Sequence, residues 1–175
     1  MSDKLKSLIR SIKDFPKEGI VFRDITTLLK DPAGMKETLE LLYEAAKDKN
    51  ITKVVGIESR GFIFGGALAE KLNVGFVPVR KPGKLPAEIW SETYSLEYGT
   101  DRIEIHKDAV SKGDRVLIHD DLLATGGTMQ AACNLLEKMG AEIVQLSFLI
   151  ELTFLNGRDK LKDYESIALI KYDSE

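Results

Sequence analysis

Residues 116–128 read Val-Leu-Ile-His-Asp-Asp-Leu-Leu-Ala-Thr-Gly-Gly-Thr, so two adjacent carboxylates stand between an apolar run and a loop of small residues. Carboxylates accept hydrogen bonds and repel phosphate, and Asp120 and Asp121 therefore suit the vicinal hydroxyls of a sugar. Ala124, Thr125, Gly126, Gly127 and Thr128 can fold tightly enough to turn several backbone N–H groups inward, and a helix beginning near Thr128 adds the positive end of its dipole. Together they describe a ribose-phosphate cradle. A strand-loop-helix turn in which an aspartate caps the helix is the simpler reading of a Gly-Gly turn. It leaves unexplained why consecutive positions all fit one ligand. The chain has no G-x-x-x-x-G-K-[ST] run and no G-x-G-x-x-G after a strand, so no other phosphate loop competes.

Two further segments are cationic where an apolar run ends. In Gly56-Ile-Glu-Ser-Arg-Gly-Phe62, backbone N–H groups near Ser59 and the Arg60 guanidinium can converge on an anion. Arg80-Lys81-Pro-Gly-Lys84 gathers three cations at a proline-glycine turn, which suits a diphosphate better than a single carboxylate. Solvated charges on wet loops are the plain alternative for each. Taken with the phosphate cradle, the two loops outline one substrate with phosphate groups at both ends, phosphoribosyl diphosphate.

These loops need a scaffold. Apolar runs and helical stripes alternate: strands at 54–57, 74–79, 116–119 and 143–150, and helices at 61–72 and 128–139, the last closed by Gly140. Such alternation implies an α/β fold with a parallel sheet covered on both faces. Leu5, Leu8, Ile9 and Ile12 predict a helix over the first dozen residues, ended by Phe15-Pro16, and Asp31-Pro32 caps a second helix carrying Met35, Leu39, Leu42 and Ala46. Residues 82–107 break the pattern, alternating like a hairpin around Gly99-Thr100-Asp101; with Trp90, Tyr94, Leu96 and Tyr98 the segment is too apolar for a linker and is expected to be a lid.

The 175 residues suffice for one domain with a core of its own, and 43% hydrophobic with 30% charged residues is ordinary globular composition. A net charge of −3 leaves no electrostatic footprint for nucleic acid. With no long apolar run and no signal-peptide pattern, no membrane association is expected. Cys133, the single cysteine, fits a small buried hydrophobe in a reducing compartment, and a cytoplasmic location is expected. His119 beside Asp120 is expected to be a paired, partly buried histidine and not a catalytic dyad, since no nucleophile accompanies it.

The ribose-phosphate stretch resembles the motif of the type I phosphoribosyltransferases. Phe15-Pro-Lys-Glu-Gly-Ile-Val-Phe-Arg-Asp-Ile25, Glu58-Ser-Arg-Gly-Phe62, Arg80-Lys-Pro-Gly-Lys-Leu-Pro86 and Tyr94-Ser-Leu-Glu-Tyr-Gly99 follow in that family's order, and are most similar to the branch that uses adenine. The resemblance implies a single-domain phosphoribosyltransferase-like parallel sheet flanked by helices, with an N-terminal hood (1–30) and a flexible hairpin lid (82–107). It implies the reaction of adenine with phosphoribosyl diphosphate to give AMP and diphosphate, by a homodimer. In this resemblance Asp120 and Asp121 hold the ribose, 124–128 the 5′-phosphate, and Ser59, Arg60, Arg80, Lys81, Lys84 and Tyr98 the diphosphate. The base lies under the hood against Phe22 and Leu152, with the main chain of Val21 and Arg23 reading its amine-bearing edge. Glu97 matches the acid/base that handles the proton at N9, and Arg60 assists catalysis. Mg²⁺ is implied as cofactor, held mainly by substrate and water and not by direct protein ligands. A backbone carbonyl accepts from the 6-amino group but opposes the oxygen of hypoxanthine or guanine. His119, Glu18 and Trp90 depart from the commoner pattern. Transfer to another base and a non-enzymatic nucleotide sensor on the same fold are the alternatives; the acidic charge and the lack of a partner for a recognition helix disfavour the sensor.

Overall fold

The computed structural model describes residues 2–95 and 99–175; Leu96, Glu97 and Tyr98, singled out above, lie outside the described residues. In chain order come helix α1 (Ser2–Ser7), strands β1 (Arg10–Lys13) and β2 (Val21–Asp24), helices α2 (Thr26–Leu29) and α3 (Pro32–Glu44), then β3 (Lys53–Ile57), α4 (Gly61–Leu72) and β4 (Gly75–Val79). β5 (Ile89–Ser95), β6 (Thr100–His106), β7 (Arg115–Leu123), α5 (Gly127–Lys138) and β8 (Glu142–Leu152) follow. Two 3₁₀ turns (Thr153–Leu155, Gly157–Lys160) and β9 (Ser166–Tyr172) complete the chain.

Five strands form one parallel sheet in the order β4-β3-β7-β8-β9. From β3 the chain passes outward to β4, and from β7 it passes the other way to β8 and β9, so the order reverses between β3 and β7. A crevice opens outside the carboxyl ends of strands at such a reversal. Side chains alternate across the sheet: Val55, Ile57, Val116 and Ile118 pack with Ala132 and Leu136 of α5, whereas Val54 and Leu117 pack with Leu42, Phe64 and Leu68 on the other face. Each such fully buried side chain contributes about 1.5–3 kcal/mol. Caps fix the helix ends: the Asp31 carboxylate accepts from the Gly34 N–H at 2.6 Å with Pro32 at the first position of α3. Asn73 in the left-handed region closes α4. Two antiparallel hairpins stand apart from the sheet, β1–β2 and β5–β6.

The sequence reading needs four corrections. The first dozen residues are not one helix: α1 stops at Ser7 and 10–13 becomes a strand, because Arg10 to Lys13 find ladder partners in Val21 to Asp24. Leu5 and Ile9 still reach the core, so the apolar spacing is satisfied by a helix followed by a turn. The strand expected at 116–119 runs on to Leu123, since Asp120, Leu122 and Leu123 keep their register against Phe148, Ile150 and Glu151 of β8; both acids therefore lie within a strand. β2 and β9 were not anticipated. Cys133 is fully buried, as expected, and burial pushes its thiol up to about 12.

His119 is the fourth. It is fully buried and turns away from Asp120, its Nδ1 facing Ser147 Oγ at 3.2 Å and its ring edge-on to Phe64, while Nε2 is without a hydrogen-bond partner among the described residues. Burial holds its pKa down at about 4. Between the ordinary value of 6.5 and about 4 the unfolded chain binds a proton that the folded chain refuses, so stability falls as pH falls through that window, by on the order of 3 kcal/mol in all. His119→Val is expected to flatten this dependence. Urea unfolding of both proteins at pH 7 and at pH 4.5 checks it; equal losses in the two would remove His119 as the cause.

Candidate active site

The anion end is built by β7, the turn after it and α5. Gly126 precedes α5 with a φ of +78°, and a Cβ there would lie 2.5 Å from the Gly157 carbonyl oxygen. Gly157 is equally confined, since a Cβ on it would lie 2.1 Å from the carbonyl oxygen of Ala124. Two backbone segments thus touch where only glycine fits, and that contact folds the turn into a cradle. A small cavity of about 80 Å³ sits inside it, lined by Asp120 and by 122–129 with Phe148 behind. The opening N–H groups of α5 have no partner within their own helix, and with the positive end of the dipole they would favour an anion in the cavity.

The two acids are not equivalent. Asp121 is 4% exposed, and its Oδ2 lies 2.9 Å from Arg60 Nε, an ion pair without hydrogen-bond alignment. Burial raises its pKa despite the arginine. Asp120 accepts the Asp121 N–H at 2.9 Å and faces the anion cavity; burial and then the neighbouring Asp121 charge raise its pKa well above the usual carboxylate range. Hydroxyl donors from a sugar would replace the hydration both carboxylates have lost.

Of the expected cationic residues, Arg60, Arg80 and Lys81 are already paired with acids. Glu58 clamps Arg80 through two contacts of 3.1 Å and accepts the Lys81 N–H at 2.9 Å; the Arg80 guanidinium holds the Glu58 carboxyl below its usual range. Lys81 is bonded to Asp101 and, at 3.3 Å, to Tyr94 of the β5–β6 hairpin. Buried Glu104 accepts the Gly83 N–H at 2.9 Å and shapes the turn that carries exposed Lys84. Ser59 is exposed at the end of β3, next to a cis Glu58–Ser59 peptide.

Beneath the β1–β2 hairpin lies a larger cavity of about 390 Å³ that gathers Val21, Phe22, Arg23 and Leu152, the four residues expected around a base. It shares Leu122, Ala124 and Thr125 with the anion cavity, so the two lie against a common wall. The Arg60 guanidinium lies 5.0 Å from the Phe22 ring and bridges this cavity to Asp121. Among the described residues β2 pairs only with β1, and its Val21 N–H donates outward to Glu175 Oε2 at 2.8 Å. Main-chain polar groups alternate along a strand, so Val21 and Arg23 turn theirs to the same open edge.

Sequence reasoning did not assign roles to Glu58, Glu104, Leu122, Gly157 or Glu175. Glu58 was legible, lying next to Ser59 and Arg60 at a strand end. Gly157 and Glu175 carry no local signal, because folding alone brings them to the site.

An α/β sheet whose switch-point crevice carries a glycine-built cradle, a pair of adjacent acids and an apolar cavity has the architecture of a nucleotide-handling protein. The chain matches the family model of the phosphoribosyl transferase domain over residues 24–171, and it belongs to that family. It is 59% identical over 169 residues to the adenine phosphoribosyltransferase of Christiangramia forsetii, a match covering 97% of this chain and 99% of that protein. Its fold superposes on the crystal structure of adenine phosphoribosyltransferase from Thermoanaerobacter pseudethanolicus with a TM-score of 0.96 at 53% identity, covering 98% of this chain and 100% of that one. The Giardia lamblia enzyme complexed with 9-deazaadenine gives 0.93 at 42% identity, with 98% of each chain covered.

Gly126→Ala tests the cradle. The added methyl meets a carbonyl oxygen at a backbone conformation L residues avoid, and the expected cost is about 1–3 kcal/mol of stability with at least tenfold weaker binding of ribose 5-phosphate. Thermal unfolding and calorimetric titration read the two effects; unaltered titration would place the anion elsewhere.

Proposed function

We propose that this chain is an adenine phosphoribosyltransferase, transferring the 5-phosphoribosyl group from phosphoribosyl diphosphate to adenine in purine salvage. The observation that carries the reading is the adjacency of the two cavities: they share Leu122, Ala124 and Thr125, so a phosphate in the α5 cradle and a planar base under the hood would sit on neighbouring sites, and a pentose linking them would pass close to Asp120 and Asp121. The relatives' names agree with it, and one of them is complexed with an adenine analogue.

In the reaction N9 of adenine bonds to the anomeric carbon, the bond from that carbon to the diphosphate oxygen breaks, and the N9 proton passes to a base. Charge develops on the leaving diphosphate and on an oxocarbenium-like sugar, so the site must stabilise the first and keep water from the second. Arg80, Lys81 and Lys84 serve the diphosphate, with Ser59 and Tyr98 as further donors. Arg60, held between Phe22 and Asp121, fixes the base cavity relative to the ribose. Glu97 is assigned the proton at N9 through the family resemblance alone. Among the described residues no three metal-ligating side chains converge, which fits a cation held mainly by substrate oxygens and water and not by direct protein ligands. Mg²⁺ bound in that way would neutralise the diphosphate. The β5–β6 hairpin would close over the substrate as a lid.

A homodimer is proposed on the same resemblance, with Ile63 and Trp90 exposed as apolar contact candidates. No helix among the described residues is long and apolar enough to cross a membrane, and buried Cys133 supports a reducing, cytoplasmic setting.

Product analysis with phosphoribosyl diphosphate, Mg²⁺ and each of adenine, hypoxanthine and guanine tests the reading. AMP from adenine alone is expected; comparable turnover of another base would overturn it. Glu97→Gln should lower kcat by about 10²-fold or more with diphosphate binding nearly intact, and unchanged turnover would remove Glu97 from the chemistry.

A further inference from the structure

We infer that Glu175 is a specificity-determining residue of the base site, its carboxylate favouring a purine with a 6-amino group over one with a 6-oxo group. The inference rests on the adenine reading above and adds a residue to it. Along its open edge β2 offers, in order, the Val21 N–H, the Val21 carbonyl and the Arg23 N–H. Glu175 Oε2 takes the first at 2.8 Å. What remains is an acceptor followed by a donor, which complements adenine, whose 6-amino group donates and whose N1 accepts. A 6-oxo purine presents the reverse, an oxygen and an N1–H.

The 6-amino group has a second hydrogen, turned away from N1. On the strand edge that direction leads from the Val21 carbonyl back to the Val21 N–H, where the Glu175 carboxylate lies. The amine therefore meets an anionic acceptor, whereas a 6-oxo oxygen would meet a full negative charge. Glu175 lines the base cavity together with Val21, Arg23 and Leu152.

The segment bearing Glu175 is held in place. Arg23 Nη2 donates to the Ser174 carbonyl at 3.2 Å, and its guanidinium stacks 4.0 Å from the Tyr172 ring. Thr153 Oγ1 shares its one hydroxyl proton between the Tyr172 carbonyl at 3.1 Å and Asp173 Oδ1 at 2.7 Å. Arg23 thus reads the base with its main chain and fixes the discriminating carboxylate with its side chain.

Glu175→Ala and Glu175→Gln in the 175-residue chain test this. For Glu175→Ala the KM for adenine is expected to rise about tenfold, the scale of a hydrogen bond to a charged group, while the KM for phosphoribosyl diphosphate holds. The inhibition constant of hypoxanthine against adenine should stay the same or tighten, and Glu175→Gln, which keeps an acceptor without the charge, should fall between. The ¹⁵N–¹H resonance of Val21 in base-free protein should move in Glu175→Ala with the rest of the spectrum retained. An unchanged adenine KM would overturn the inference, and so would a lowered one, which would make the carboxylate a competitor for Val21. If the wild-type chain forms no AMP, the adenine reading fails and takes this inference with it; if AMP forms and the variants match the wild type, only this inference fails.

Discussion

The site depends on how closely the first turn of α4 approaches β7. A Cβ on Gly61 would stand 2.9 Å from the His119 carbonyl oxygen and 3.1 Å from Asp120 Cα, so only a glycine lets the helix settle against the strand. That contact sets the separation of Arg60, one residue before Gly61, from Asp121, two residues beyond His119, and their ion pair follows from it. It also brings the loop after β3 and the carboxyl end of β7 together at the strand-order reversal. The helices cover opposite faces, but their loops meet over the same sheet edge.

Around the crevice, cations are positioned by acids before any ligand arrives. Arg80 is paired with Glu58, Lys81 with Asp101, and Arg60 with Asp121. Glu58 and Asp101 are held in the charged form by their partners, since Arg80 and Lys81 lower the respective carboxyls. The Arg80–Glu58 and Lys81–Asp101 pairs lie at partly exposed positions, where ion pairing adds little to stability. Their effect is geometric: each long side chain is held near one orientation, so a polyanion has fewer rotamers to freeze on binding.

Much of this was legible because the informative residues are contiguous. The helix at 61–72 and the Asp31-Pro32 cap follow from periodicity and end signals that tertiary packing does not contest. The first helix was overextended because Ile12 fits helical and strand spacing alike, and pairing with β2 decides between them. The strand at 116–119 was cut short because charged residues read as a strand end; within a parallel ladder, Asp120 and Asp121 continue the strand and leave it only at Leu123. The four base-cavity residues were found by resemblance, and the structure brings them to one cavity. Gly157 and Glu175 were invisible, since neither the packing of one backbone on another nor the reach of a distant side chain leaves a trace in local spacing.

The packing of Gly157 on the turn at 124–126 makes the anion cradle a composite of two distant stretches of chain. The next residue, Arg158, grips buried Glu151 through contacts of 2.6 and 2.8 Å and donates to the Ser166 carbonyl at 2.9 Å, tying that wall to β8 and β9. Grafting residues 120–128 alone onto another parallel sheet would therefore transplant half a mould. The missing half is a strut some thirty residues downstream, and its ionic anchor never touches the ligand it helps to shape.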